Sequence, residues 1–176
     1  MATSRSFFII AICMLLAACK TTSRSVSPHA GVAAASFNQQ QLENNKSVVL
    51  KLYQALNDAN FPLAQSLVAT DFKHHYVKDT GFAAMSWAGF LKGYSMSQKA
   101  FPDWKLQTIT MIAEGDFVSV LLSGTGTHLA EFAGIPATNV RASAPIMLLH
   151  QLKNGKIVAD WEIMNSAAFL EQLRKQ

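Results

Sequence analysis

The 176-residue chain is short of cysteine, of charge and of basic runs. Two cysteines cannot build a disulfide framework or a cysteine-rich zinc site. Charged residues make up only 15% of the chain, and 15 Lys and Arg against 11 Asp and Glu leave a net charge of +4. The excess is mild and spread out, so nothing suggests a nucleic-acid groove. His-x-x-x-His, Cys-x-x-Cys, Gly-x-Ser-x-Gly and a phosphate loop are also missing, which leaves metal, serine-hydrolase and nucleotide readings without sequence support. What is abundant is apolar residues, at 50%. A disordered chain is thereby excluded, because such chains are poor in them. The length allows one globular domain and a short extension, at about 100–200 residues per domain.

Part of the apolar content is concentrated early. Arg5 precedes an unbroken apolar run of twelve residues, Phe7 to Ala18. As a helix it would span about 18 Å, too short for a hydrocarbon core of about 30 Å. A positive start, a short apolar centre and small residues at the end describe an export signal. The ending Leu16-Ala17-Ala18-Cys19 resembles the bacterial lipobox. The resemblance implies cleavage before Cys19, diacylation of its sulfur and acylation of the new amino terminus, and several chains on one residue anchor a protein stably. The alternative is an ordinary signal peptide, or an uncleaved anchor, with a chance cysteine. Lys20, where retained proteins of this type carry Asp, implies the outer membrane, with the domain facing the periplasm. With Cys13 lost in the signal and Cys19 acylated, no free thiol would remain. Residues 20–41 are Ser-, Thr-, Ala- and Gln-rich and short of large apolar groups, and are expected to form a flexible tether.

Order is expected from Leu42. Val48, Val49, Leu52, Tyr53 and Leu56 make one helical face, and Asn57-Asp58-Ala59-Asn60 ends it. A short helix over Phe61–Val68 carries Pro62 in its first turn, where the missing N–H costs nothing. Asp71 to Val77 reads as a short strand. Trp87, Phe90, Leu91 and Tyr94 form a third helical stripe, capped by Ser86. The period then changes to two. Strands are expected over Trp104–Glu114, Phe117–His128, Ala142–Lys153 and Lys156–Asn165, with a closing helix over Ser166–Leu173. Asn154-Gly155 is a strong hairpin signal, since both residues tolerate positive φ. Helices followed by antiparallel strands argue for an α+β domain over residues 42–176, a curved antiparallel sheet capped by helices around a conical hollow.

A two-residue turn at Asn154-Gly155 sets a register. His150 then faces Ala159, Leu148 faces Trp161, Ile146 faces Ile163 and Ala144 faces Asn165, all on an apolar inward side, while Asp160 and Glu162 point the other way. An imidazole and an amide on an apolar wall need partners, because an unpaired buried polar group costs about 1–3 kcal/mol. His150 is therefore either a satisfied core histidine or a cavity acid, base or donor. Asn165 is either a helix N-cap or a cavity group. His74 and His75 are adjacent, so one points in and one out. His128 is either a loop-packing residue or a ligand contact.

Further residues recur in a familiar order: Phe101-Pro102-Asp103-Trp104, Ala113-Glu114-Gly115-Asp116, Gly126-Thr127-His128 with Phe132, Gly134, Pro136 and Thr138, Asn154-Gly155-Lys156-Ile157 with Trp161, and Leu170-Glu171-Gln172-Leu173. This succession resembles the SnoaL-like polyketide cyclases, or ester cyclases, of the NTF2-like superfamily of cone-shaped α+β barrels. The resemblance implies a cofactor-free aldol ring closure in which an Asp moves the proton alpha to a carbonyl and a cavity His assists. It also implies frequent dimers through the outer sheet face, where Met147, Leu149, Val158 and Met164 are expected. At the position of the catalytic Asp this chain has Asn165, while His150 lies near the position of the assisting His. Three functions follow: a holder of a small hydrophobic molecule, contacted by Trp161, Asn165, His128, His74 and Trp87; a cyclase or isomerase with His150 as acid/base; or an envelope module whose cone is filled by its own side chains.

Overall fold

The computed structural model describes residues 28–175. The export segment, the lipidation of Cys19 and the first part of the expected tether lie outside the described residues. The described chain folds as α1 (Pro28–Asn57), α2 (Phe61–Leu67), β1 (Val68–Lys78), β2 (Gly81–Ser86), α3 (Trp87–Ala100), β3 (Lys105–Glu114), β4 (Phe117–Thr127), β5 (Arg141–Lys153), β6 (Lys156–Met164) and α4 (Ser166–Arg174). None of the described helices is long and apolar enough to cross a membrane.

The tether expectation is corrected over residues 28–41, which continue α1. Ala and Gln are strong helix formers even where they offer no apolar face. One-turn pairs support the segment, Gln39 Nε2 donating to Glu43 Oε1 at 3.0 Å and Gln40 Nε2 to Asn44 Oδ1 at 3.0 Å. Gln41 Nε2 also donates to Asp116 Oδ1 at 2.9 Å, fastening this part of α1 to the β3–β4 turn.

The six strands form one sheet in the order β2-β1-β6-β5-β4-β3. It is not wholly antiparallel, as expected, because β1 runs parallel to β6. β2 was also missed. Its Ala83-Ala84 core has weak strand propensity, and it forms an edge by pairing back on β1 across a tight turn with Asp79 at φ 52°. The Asn154-Gly155 turn has both residues at positive φ, 52° and 73°.

The core lies between the helices and the inner sheet face. Val49, Leu52 and Leu56 of α1 meet Val118, Val120 and Leu122 of β4, with Ile146 and Leu148 of β5. Asn57 fixes the end of α1 to β3, its Nδ2 donating to the Leu106 carbonyl at 2.9 Å and its Oδ1 accepting the Leu106 N–H at 2.8 Å. β4 ends in Gly124 and Gly126 for a steric reason. The Trp104 indole lies on this backbone, and a Cβ at Gly124 would stand 2.3 Å from its ring.

Replacing Gly124 with Ala is therefore expected to push Trp104 off the sheet and to destabilise the domain by about 1–3 kcal/mol, the usual range for overpacking. Urea unfolding followed by tryptophan fluorescence measures both effects; an unchanged midpoint and spectrum would contradict the contact.

Candidate functional site

The register of β5 against β6 decides which side chains see the interior. Lys153 pairs with Lys156 and Leu152 with Ile157, as the turn requires. Gln151 then pairs with Ala159, so Val158 is one extra residue on β6. Such a bulge reverses the faces of everything beyond it. His150 pairs with Asp160, Leu148 with Glu162 and Ile146 with Met164. The β5 half of the expected inward face stands, with His150, Leu148, Ile146 and Ala144 all buried. The β6 half is overturned: Asp160, Glu162 and Met164 turn inward, while Trp161 and Ile163 turn outward.

Trp161 is therefore not a cavity residue. It stacks on His75 across β1, with ring centroids 4.8 Å apart and planes 8° from parallel. His75 Nδ1 donates to the Asp160 carbonyl at 2.8 Å. Asn165 is not a cavity residue either. Its Oδ1 accepts the Ala168 N–H at 3.0 Å as the N-cap of α4, and the residue is exposed. His128 is fully buried but stacks on Phe101, centroids 5.1 Å apart, with Nδ1 3.0 Å from Thr138 Oγ1, and does not line the hollow. Met164 lines the hollow and leaves the outer face, where Ile163 joins Met147 and Leu149 as exposed apolar side chains.

Beneath the helices is a cavity of about 460 Å³, well within the range of small-molecule sites. Its walls are mainly aromatic and aliphatic, among them Trp87, Phe90, Tyr94, Trp104 and Phe132. A filled cone is thereby excluded. One wall is polar and is assembled by three adjacent strands and a helix: His74 from β1, Asp160 and Glu162 from β6, His150 from β5 and Tyr53 from α1. His74 pairs with Asp160 in the parallel β1–β6 ladder, which puts both on the same face.

Asp160 is the centre of this cluster. Its Oδ1 lies 2.7 Å from His74 Nδ1 and its Oδ2 lies 3.6 Å from His150 Nδ1. The ionised carboxylate can only accept, so His74 Nδ1 carries the proton and donates. Nε2 of His74 has no hydrogen-bond partner among the described residues. His74 also packs tilted on Phe90, centroids 5.0 Å apart, and stacks on Tyr76. Burial alone would lower the His74 pKa, but the Asp160 hydrogen bond and charge outweigh it, and the net shift is upward from 6.5.

His150 is fully buried and hydrogen-bonded through Nε2 to the Tyr53 hydroxyl. Burial lowers its pKa to about 4, against the pull of Asp160 and with a small push from His74. It is neutral at pH 7. Burial, reinforced by the charges of Asp160 and Glu162, holds the Tyr53 pKa well above 10.0, so its hydroxyl stays protonated. Burial also raises the Glu162 pKa from 4.5, opposed by His74 and assisted by Asp160. No described residue donates a hydrogen bond to the Glu162 carboxyl. Among the described residues, no group of three His, Cys, Asp or Glu side chains is arranged to hold a metal.

Of the expected site residues, the structure brings His150, His74 and Trp87 to the hollow and leaves Asn165, Trp161 and His128 outside its lining. Asp160, Glu162 and Tyr53 were missed. The available signal was the apolar run Ile157-Val158-Ala159, which breaks alternation where the bulge occurs.

The geometry is that of a cone-shaped α+β domain whose titratable groups line one wall of an apolar hollow. A family model described as SnoaL-like polyketide cyclase matches residues 46–173. The chain belongs to the SnoaL-like polyketide cyclase family. Among solved structures it is similar to AclR from Streptomyces galilaeus, which is proposed to be a hydroxylase, with 27% identity, a TM-score of 0.69 and coverage of 77% of this chain and 98% of that one. It is also similar to IdmH from Streptomyces antibioticus, proposed to be a polyketide cyclase, with 25% identity, a TM-score of 0.68 and coverage of 74% and 98%. A SnoaL-like protein from Jannaschia sp. CCS1 shares the fold at 17% identity, with a TM-score of 0.68 and coverage of 76% and 94%. No curated protein matches the chain.

The two histidines act on stability in separate pH windows. His74, with its pKa raised in the fold, contributes stability that is complete below 6.5 and is lost as pH rises through its folded value. His150 acts oppositely: the unfolded chain binds a proton near 6.5 that the fold rejects down to about 4, so stability falls as pH drops across that interval. A single such proton gives a slope of roughly 1.4 kcal/mol per pH unit. Urea unfolding between pH 6.5 and 5 is expected to show this loss in the native chain and a flatter curve in His150→Gln. Parallel curves would contradict a neutral, buried His150.

Proposed function

We propose that the domain binds a small hydrophobic carbonyl compound in its cone and moves a proton on it. His74 is the acid/base, Asp160 orients it, and Glu162 is the second proton group. The observation that carries this reading is the 2.7 Å His74–Asp160 hydrogen bond inside an apolar hollow. Holding Nδ1 as the donor leaves the Nε2 lone pair as the base, which is how an Asp sets a histidine for proton transfer.

The chemistry follows from the charges. Nε2 of neutral His74 takes a proton from the carbon alpha to the carbonyl, and the C–H electron pair becomes the enolate. The protonated form of the Glu162 carboxyl, which burial favours, supplies a proton to the carbonyl oxygen. Return of the first proton from His74 to another carbon, with Glu162 taking its proton back from the oxygen, completes an isomerisation; attack of the alpha carbon on a second carbonyl closes a ring, with His74 giving its proton to the new alkoxide and Glu162 again recovering its own. The name given to IdmH, a polyketide cyclase, describes chemistry of this kind on a carbonyl-rich chain. Apolar walls strengthen each electrostatic contact by excluding water.

The domain acts at the periplasmic face of the outer membrane, tethered through lipid on Cys19. It pairs with a second copy through the outer sheet face, where Met147, Leu149 and Ile163 are 49%, 39% and 55% exposed. The sequence Leu16-Ala17-Ala18-Cys19 supports the anchor. Growth with radiolabelled fatty acid is expected to label the native protein and not Cys19→Ala; equal labelling would contradict the anchor.

Proton transfer is tested with neutral bicyclic ketones, tetralones and indanones, in deuterated buffer. The native domain is expected to exchange the alpha hydrogen, and His74→Gln and Asp160→Asn to lose at least about 100-fold in rate while still binding the ketone. Because His74 must be neutral and its pKa is raised, the rate is expected to climb with pH through a limb lying above 6.5. Ketone binding without exchange in the native protein would leave a carrier and contradict the proton-transfer reading.

A further inference from the structure

The cluster holds a second layer that the proposed chemistry does not use directly. His150 is 0% exposed, and one of its nitrogens meets the Tyr53 hydroxyl while the other faces Asp160 Oδ2 at 3.6 Å. Tyr53 comes from α1, 97 residues away in the chain, and its ring meets the imidazole edge-on at a centroid distance of 5.6 Å. Two neutral tautomers are available to His150, and they have opposite consequences for Asp160. With the proton on Nε2, a lone pair at Nδ1 would face the carboxylate. With the proton on Nδ1, an N–H faces it.

We infer that Tyr53 and His150 are positioning residues: the Tyr53 hydroxyl donates to Nε2, this fixes His150 as the Nδ1–H tautomer, and that N–H steadies Asp160 on the oxygen that His74 does not use. This inference rests on the proposed role of Asp160 as the group that orients His74. The donors then run in one direction, from Tyr53 to His150 to Asp160, with His74 donating to the same carboxylate from the other side. Asp160 then faces an N–H on each oxygen, hydrogen-bonded to His74 at 2.7 Å and more loosely approached by His150 at 3.6 Å, beyond hydrogen-bond distance, where the N–H dipole still favours the orientation that keeps Oδ1 on His74. Neither Tyr53 nor His150 needs to touch the substrate.

The tautomer is visible in the ligand-free protein by ¹⁵N NMR of the histidine rings, with the His150 signals assigned by their disappearance in His150→Gln. A pyrrole-type signal at Nδ1 and a pyridine-type signal at Nε2 are expected. The reverse pattern would overturn the inference, whatever the outcome with ketones. Tyr53→Phe keeps the ring and removes only the donor. In that variant the His150 Nε2 signal is expected to move toward the value of an unbonded pyridine-type nitrogen, and the Nδ1–H proton of His74 to broaden as Asp160 loosens. With a ketone that the native domain exchanges, kcat is expected to fall at least about tenfold while KM stays within about twofold. An unchanged His74 proton signal in a folded Tyr53→Phe variant would overturn the coupling between the two layers. Should that variant not fold, the native tautomer pattern alone decides. Failure of every ketone to exchange, with the expected tautomer present, would count against the proposed reaction and not against this arrangement.

Discussion

A carboxylate enclosed by apolar side chains must find partners or lose its charge, and Asp160 is answered from two sides. His74 comes from one neighbouring strand and His150 from the other, because β6 lies between β1 and β5 in the sheet. The arrangement depends on the single extra residue at Val158, which turns the acidic half of β6 inward. Without that bulge, Asp160 and Glu162 would lie on the outer face and Trp161 would stand in the hollow. The remaining architecture serves this wall: α1 brings Tyr53 beneath His150, and α3 supplies Phe90, itself stacked on Trp87, as the apolar surface against which His74 rests.

Features set by near neighbours are legible in the sequence. Asn154-Gly155 marks its turn, Ser86 caps its helix, and the strands from β3 to β6 lie within a residue or two of where alternation puts them. These features depend on near neighbours. What was not legible is long-range or depends on one residue of register. The parallel pairing of β1 with β6 joins segments far apart in the chain, and no turn announces it. The bulge is a different kind of omission. Strict alternation was carried through Ile157-Val158-Ala159, three apolar residues that fit either face, and every assignment beyond them was inverted. The same inversion put Asn165 on the inward face, whereas its short amide does what a residue before a helix commonly does.

Family membership narrows the chemistry without settling it, since one fold carries many functions. What is particular to this chain is the balance of its polar wall. His150 is neutral and enclosed, His74 is shifted toward its charged form, and Glu162 is shifted toward its protonated form. Environments that push titratable groups apart in this way are where acid and base roles become distinct. The groups differ because their surroundings do: His74 has a carboxylate at hydrogen-bond distance, His150 has a phenol and a more distant oxygen, and Glu162 has no donor at all among the described residues.

The bulge turns Glu162 and Asp160 toward the hollow and Trp161 away from it. Carboxyl ¹³C NMR of Glu162, recorded with and without a saturating hydrophobic ketone, reports on this placement. A midpoint above 4.5 is expected in the free protein and a further change when the ketone is bound, with the fluorescence of Trp161 unaffected. A Glu162 midpoint at 4.5 that ignores the ketone, together with quenching of Trp161, would mean that β6 has the uninterrupted register and that its carboxylates face away from the hollow.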